Sequence, residues 1–206
     1  MTAASPTSSG AGRGAGTAYP SARVLELERA SRPELDRVFQ RGVTPDLGGL
    51  VGWEFRGVNT QFVAIRTSAW AKWVGIKKFT KGFFRDHDGQ VHGYNVPIVQ
   101  GRLDDAWVAK PDDHAPRRFG FFLVTPVDPS ARDNAYLHAL LLDYGRGGNK
   151  PWDPSRGLRD YVVQVDADNP DVLLGRAFYA VGPARLETNF FILERHRRGL
   201  TEYARR

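Results

Sequence analysis

Five histidines, at positions 87, 92, 114, 138 and 196, and the absence of cysteine set the first limits on the chemistry open to this chain. Without cysteine there is no disulfide framework, no thiolate nucleophile and no Cys-based zinc site. The histidines are too spread for a local metal motif, no His-Glu-x-x-His occurs, and no serine or threonine stands in a Gly-x-Ser-x-Gly elbow. Neither a metal nor a cofactor is expected. His87 and His92 come closest to a pair, but Asp86-His87-Asp88-Gly89 has the composition of a hairpin turn.

Polar groups that share a strand face with apolar neighbours are the better candidates, because a cavity fixes its ligand with a few convergent polar groups in an apolar wall. In a strand over 135–143, His138 shares parity with Tyr136, Leu140 and Leu142, surroundings that lower an imidazole pKa and keep it neutral. The plainer reading is a histidine bonded to a backbone carbonyl or to a neighbouring tyrosine. In 172–181, Arg176 lies with Leu174 and Phe178, and Tyr179 lies on the opposite face. Arg176 pointing inward would anchor an anionic or polar head group; pointing outward it is a solvated charge. The run "DGQVHGYNVPIV" adds Tyr94 and Asn95, and Arg56 with Tyr94 forms a candidate carboxylate clamp. The expected ligand-binding set is Arg56, Tyr94, Asn95, His138, Arg176 and Tyr179. The connection around residues 143–160 brings Asp143, Tyr144, Asn149, Trp152, Asp153, Arg156, Arg159 and Asp160 together, as a ligand mouth or as a long loop pinned by Trp152 and an Arg–Asp pair. Its Gly-Arg-Gly-Gly is not followed by the helix of a dinucleotide site.

The elements that must position these groups read as all-β. Residues 1–22 are Gly, Ala, Ser and Thr with little to bury, which predicts a disordered tail. Ser31, Pro33 and Glu34 open a capping-box helix over 32–41 with Leu35, Val38 and Phe39 on one face. From Gly48 onward, short aromatic and β-branched segments alternate with Gly, Pro, Asn and Asp, giving candidate strands at 50–57, 60–66, 75–84, 91–99, 105–109, 117–125, 135–143, 160–166, 172–181 and 186–194. The segment 67–73 fits a short helix between strands equally well. Many strands are apolar on both faces, which suits a sheet closed on itself, or a sandwich, with outside cover from the helix, the loops or a partner chain, a homodimer included. The expected architecture is an antiparallel up-and-down β-barrel of eight to ten strands over residues 23–195, with a basic tail at 196–206.

"GGLVGWEFRGVNT" places Gly52 and Trp53 at the start of the first strand, and "FILERHRR" ends the last one. Such a start lets the strand coil sharply while the indole plugs the barrel, and Arg195 can lie over the ring. With Trp73 to Phe79, "WVGIKKF", and Asp143-Tyr144 in "LLLDYG", the pattern resembles the calycin superfamily, in particular bacterial lipocalin-like domains with a Gly-x-Trp-x-Gly motif. This chain reads Gly-Trp-Glu-Phe-Arg-Gly, with one extra residue before the closing glycine, and its Asp-Tyr pair is reversed. The resemblance implies a barrel with a cavity, no cofactor of its own, and Trp53 with Arg195 as its closure.

The formal charge of +6 splits into +5 over residues 72–85, +4 over 195–206, and a remainder near −3. Solvated lysines and arginines on a strand face explain the first patch more simply than nucleic-acid binding. No run of about 18 apolar residues is present, as a membrane-spanning helix requires. The N-terminus lacks the basic start and apolar segment of a secretory signal, so a cytoplasmic location is expected. The expected partner is a hydrophobic small molecule, fatty-acid or lipid-like. An enzyme using the same cavity, with His138, Tyr94 or Asp143 as acid or base, and a basic module docking on nucleic acid or an anionic membrane stand as alternatives.

Overall fold

The computed structural model describes residues 19–63 and 76–203. Eight antiparallel strands follow one another round a closed cylinder: β1 (Trp53–Thr60), β2 (Lys78–Arg85), β3 (Val91–Pro97), β4 (Phe119–Pro126), β5 (Leu140–Asp143), β6 (Leu158–Asp166), β7 (Asn169–Val181) and β8 (Ala184–Arg198). β8 pairs back onto β1 and closes the ring. Among the described residues three helices precede it, α1 (Ala22–Arg29), α2 (Arg32–Arg41) and α3 (Leu47–Leu50).

Local chemistry fixes the entry to the barrel. Ser31 donates from both its backbone N and its Oγ to Glu34, at 2.8 and 2.6 Å, so α2 begins where the sequence pattern put it. Asp46 accepts from Gly48 and Gly49 to cap α3. Gly52 then takes φ 77°, a left-handed turn that costs glycine little and lets Trp53 start the sheet. At Gly57 an added Cβ would stand 2.3 Å from the Phe79 ring, so the bare backbone is what allows that ring to lie across β1.

Apolar residues on both strand faces find cover on both. Inward alternation gives a core of Phe55, Phe83, Phe122, Leu142, Leu173 and Leu193 among others. Outside, α1 and α2 press Val24, Leu27, Leu35 and Phe39 onto Leu141, Tyr161, Leu174 and Ile192. On the other side Trp107, from the β3–β4 connection, packs with Val58, Phe84, Tyr94 and Phe121.

Several expectations need correcting. Segment 105–109 is no strand: it folds back within the β3–β4 connection, its one β-bridge pairs Ala109 with Ile98 just beyond β3, and Trp107 packs on the sheet through its side chain. Residues 61–63 leave the ladder after Thr60, and 67–73 lie outside the described residues. Only 140–143 of the 135–143 segment is strand, because Tyr136 and His138 pack against Phe39 on α2. Within the expected N-terminal tail, Tyr19 packs edge-on against Trp107 at 5.0 Å and Ser21 caps α1, a helix the sequence reading missed. The expected C-terminal tail is largely structured too. β8 runs to Arg198, and Tyr203 stacks on Phe121 at 5.6 Å. No helix among the described residues is long and apolar enough to cross a membrane.

Candidate functional site

Because the strands alternate in direction, β1, β3, β5 and β7 all finish at one end of the barrel and β2, β4, β6 and β8 begin there. A cavity of about 830 Å³ occupies that end. Its wall includes Phe62, Ile76, Phe79, Phe119, Leu158 and Phe191, and Val181 and Leu186 stand at its edge, exposed to solvent. A groove between α1 and α2, about 670 Å³, is lined as much by charged side chains such as Arg29, Glu34, Arg37 and Arg41 as by apolar ones such as Leu25 and Val38, and offers no comparable apolar wall.

Beneath the cavity lies a buried polar cluster. Lys81 projects inward from β2 on the face of Phe79 and Phe83, only 2% exposed. Its ammonium donates to Asn95 Oδ1 at 3.0 Å, to Asp160 Oδ2 at 3.3 Å and to the Tyr144 hydroxyl, using all three protons. Tyr144 in turn donates to Asp160 Oδ2 at 3.2 Å and accepts from Asn95 Nδ2 at 3.2 Å. Asn95 Nδ2 also reaches the Gly120 carbonyl at 2.8 Å. Asp160 Oδ1 is buried without a hydrogen-bond partner among the described residues.

Electrostatics follow from burial. Desolvation pulls the Lys81 amine below its usual range, against the attraction of Asp160. The same cause pushes the Asp160 carboxyl up, against Lys81, and holds the Tyr144 phenol well above its usual range. The Phe79, Phe122, Tyr144 and Phe191 rings stand 4.8 to 5.4 Å from the ammonium and offer it their faces. A second polar row climbs the β1–β8 wall: Thr188 Oγ1 donates to Asn189 Oδ1 at 2.8 Å, and Asn189 Nδ2 to Asn59 Oδ1 at 2.9 Å. The cavity thus combines apolar walls with amide and hydroxyl groups and a floor whose two formal charges cancel.

Of the residues expected from sequence to bind ligand, Asn95 and Tyr179 line this cavity. Tyr179 also donates to the Pro154 carbonyl at 3.0 Å. Arg56 and Tyr94 do not line it. Both stand on the outer face: the Arg56 guanidinium lies 3.9 Å from the Tyr19 ring centre, and Tyr94 donates to Glu54 Oε1 at 2.9 Å. The clamp fails because strand parity puts Phe55, not Arg56, inside. His138 is outside as well, with Nε2 3.1 Å from the Phe39 carbonyl, the plainer of its two readings. Arg176 faces outward and ties α2 to the barrel through Asp36, at 2.5 Å, and Glu187. At the far end the Arg195 guanidinium sits 4.7 Å from the centre of the Trp53 ring, with Arg198 at 3.8 Å. Trp152 does not pin the loop: it is 77% exposed, its ring met by the Lys150 ammonium at 5.6 Å, and Arg159 holds the loop through Asp133 and Asp143.

Lys81 was missed. Its parity with Phe79 and Phe83 was visible in "KFTKGFF", but the density of positive charge masked it. Lys78, counted in the same patch, is buried too, with Nζ on the Arg102 carbonyl at 2.9 Å. Among the described residues no group of three or more His, Cys, Asp or Glu is placed to hold a metal. No family model matches the chain, and no curated protein matches it.

Proposed function

We propose that the chain is a lipocalin-like binding protein of the calycin kind, which holds a hydrophobic, lipid-like small molecule in the open end of the barrel. One observation carries this reading: a cavity of about 830 Å³ with apolar walls above the Lys81–Asn95–Tyr144–Asp160 cluster. Its size falls within the roughly 300–1,000 Å³ of small-molecule sites. Gly52 and Trp53 at the closed end, with Arg195 over the indole, support the resemblance. Since Lys81 and Asp160 cancel, the floor suits a ligand with an uncharged polar end, such as a hydroxyl, better than a carboxylate.

Native mass spectrometry of freshly purified protein tests this directly, with a co-purified apolar molecule as the expected result. In titrations with the neutral fluorophore N-phenyl-1-naphthylamine, dodecanol should displace the probe more effectively than dodecanoic acid. A protein that neither carries a ligand nor binds the probe would refute the reading. A second reading, acid–base catalysis in the same cavity, is favoured by the hydrogen bonds that Tyr144 shares with Lys81 and Asp160. Chemical conversion of a bound ligand, lost in Lys81→Met, would establish it.

A further inference from the structure

Eight large hydrophobic side chains are left exposed among the described residues, and six of them belong to the connections or the hairpin tip at the open end: Val63, Val99, Val108, Trp152, Val181 and Leu186. Trp152 stands two residues from Pro154, which lines the cavity, as do Val181 and Leu186 themselves. Cations stand among them. Lys110 lines the cavity edge, and the β5–β6 connection carries Arg146, Lys150 and Arg156, none of which forms an ion pair among the described residues. The opposite end carries acids and arginines together. Its β2–β3 and β6–β7 turns carry Asp86, Asp88 and Asp168, and the arginines that end β8 there are taken up, Arg195 by Asp171 and the Trp53 ring, Arg197 by Glu54 and Asp113, and Arg198 by the same indole.

An apolar rim whose cations have no carboxylate partner among the described residues, on a molecule whose other end holds its arginines in ion pairs and ring contacts, matches an anionic lipid surface. There an indole sits at the head-group level and basic side chains face lipid phosphates within about a Debye length, ~8 Å at physiological salt. A second copy fits less well, since a two-fold contact would set the same cations against each other. We propose that the open end of the barrel docks on anionic bilayers, with Trp152, Val181 and Leu186 entering the interface and Lys110, Arg146 and Lys150 against the head groups. The proposal goes beyond the ligand reading and stands on the rim alone. If both hold, an apolar ligand passes between bilayer and cavity without crossing water.

Co-sedimentation of the full chain with vesicles of phosphatidylcholine, with and without phosphatidylglycerol, tests it. The expected result is partition onto the anionic vesicles at least about tenfold above the neutral ones, abolished by high salt. The double variant Lys110→Glu/Lys150→Glu should lose it, and Trp152→Ser should lower it about tenfold with an unchanged melting temperature. Equal partition onto both vesicle types, no partition, or insensitivity to Trp152→Ser would overturn the proposal. So would a concentration-dependent dimer, seen by light scattering and dissolved by Val181→Ser/Leu186→Ser. Vesicle binding without probe binding would remove the cavity reading and leave docking intact; the reverse would do the opposite.

Discussion

The two ends of the cylinder are built from the same strands with the same alternation, yet one end is filled and the other is not. Toward the closed end the inward positions carry Phe55, Phe83, Leu140, Leu142, Leu173 and Leu193, and the Phe55 and Phe83 rings meet edge-to-face at 5.6 Å. Toward the open end aromatics such as Phe79 and Phe191 are interspersed with the smaller or polar Asn59, Lys81, Asn95, Asp160, Ala177 and Asn189. Ring closure therefore fixes the diameter, and side-chain choice at each level decides between core and cavity. Stability should reside at one end and recognition at the other.

Phe83→Ala at the closed end should break the comparison most severely in stability, costing about 3–5 kcal/mol by urea denaturation, with probe affinity retained by the folded fraction. Lost affinity at full folding would show that the two ends are not separable. Lys81→Met comes next, near the low end of the roughly 3–5 kcal/mol for leaving one partner of a buried pair, because Asp160, already pushed up, can take a proton. A second change, Asp160→Leu, should recover most of the loss, and a double-mutant cycle checks it.

A smaller effect is expected with pH on the outer wall. The half-buried His196 imidazole is pushed down to about 4 by burial, with repulsion from Arg56 and Arg197. An unfolded histidine titrates near 6.5, so as pH falls the unfolded chain binds the proton first, and stability declines from about pH 6.5 to 4. After allowance for solvent screening the loss is about 1–2 kcal/mol, and His196→Gln should flatten that part of the melting profile. Ala177→Phe sharpens the contrast with the least change in stability, under about 1.5 kcal/mol, because the new ring enters open space. It should nevertheless abolish probe binding; a variant that still binds would place the ligand elsewhere.

The barrel was legible because its strands, turns and two-sided apolar pattern agree. The "DHDG" turn closes β2 onto β3, with Asp86 bonded to Gln90 and Gly89 at φ 77°. The candidate site was legible only in part. Asn95 and Tyr179 face the cavity, and Tyr144 and Asp160 stood among the loop candidates, but Arg56, Tyr94, His138 and Arg176 were drawn to the wrong side. Alternation within a strand gives two faces without saying which is inside, and here both are buried, so polarity could not choose. Lys81 illustrates the same limit: a lysine ringed by aromatics reads in sequence as one more surface charge, and only the pairing of β2 with its neighbours brings Asn95, Tyr144 and Asp160 to it.

The pairing of β8 with β1 has a further effect. An apolar-walled chamber is most safely carried by a molecule whose described strands offer neighbours no unpaired border along which another chain could be added. Joining the first strand to the last removes that border, so the hollow can persist at high concentration without seeding fibrils.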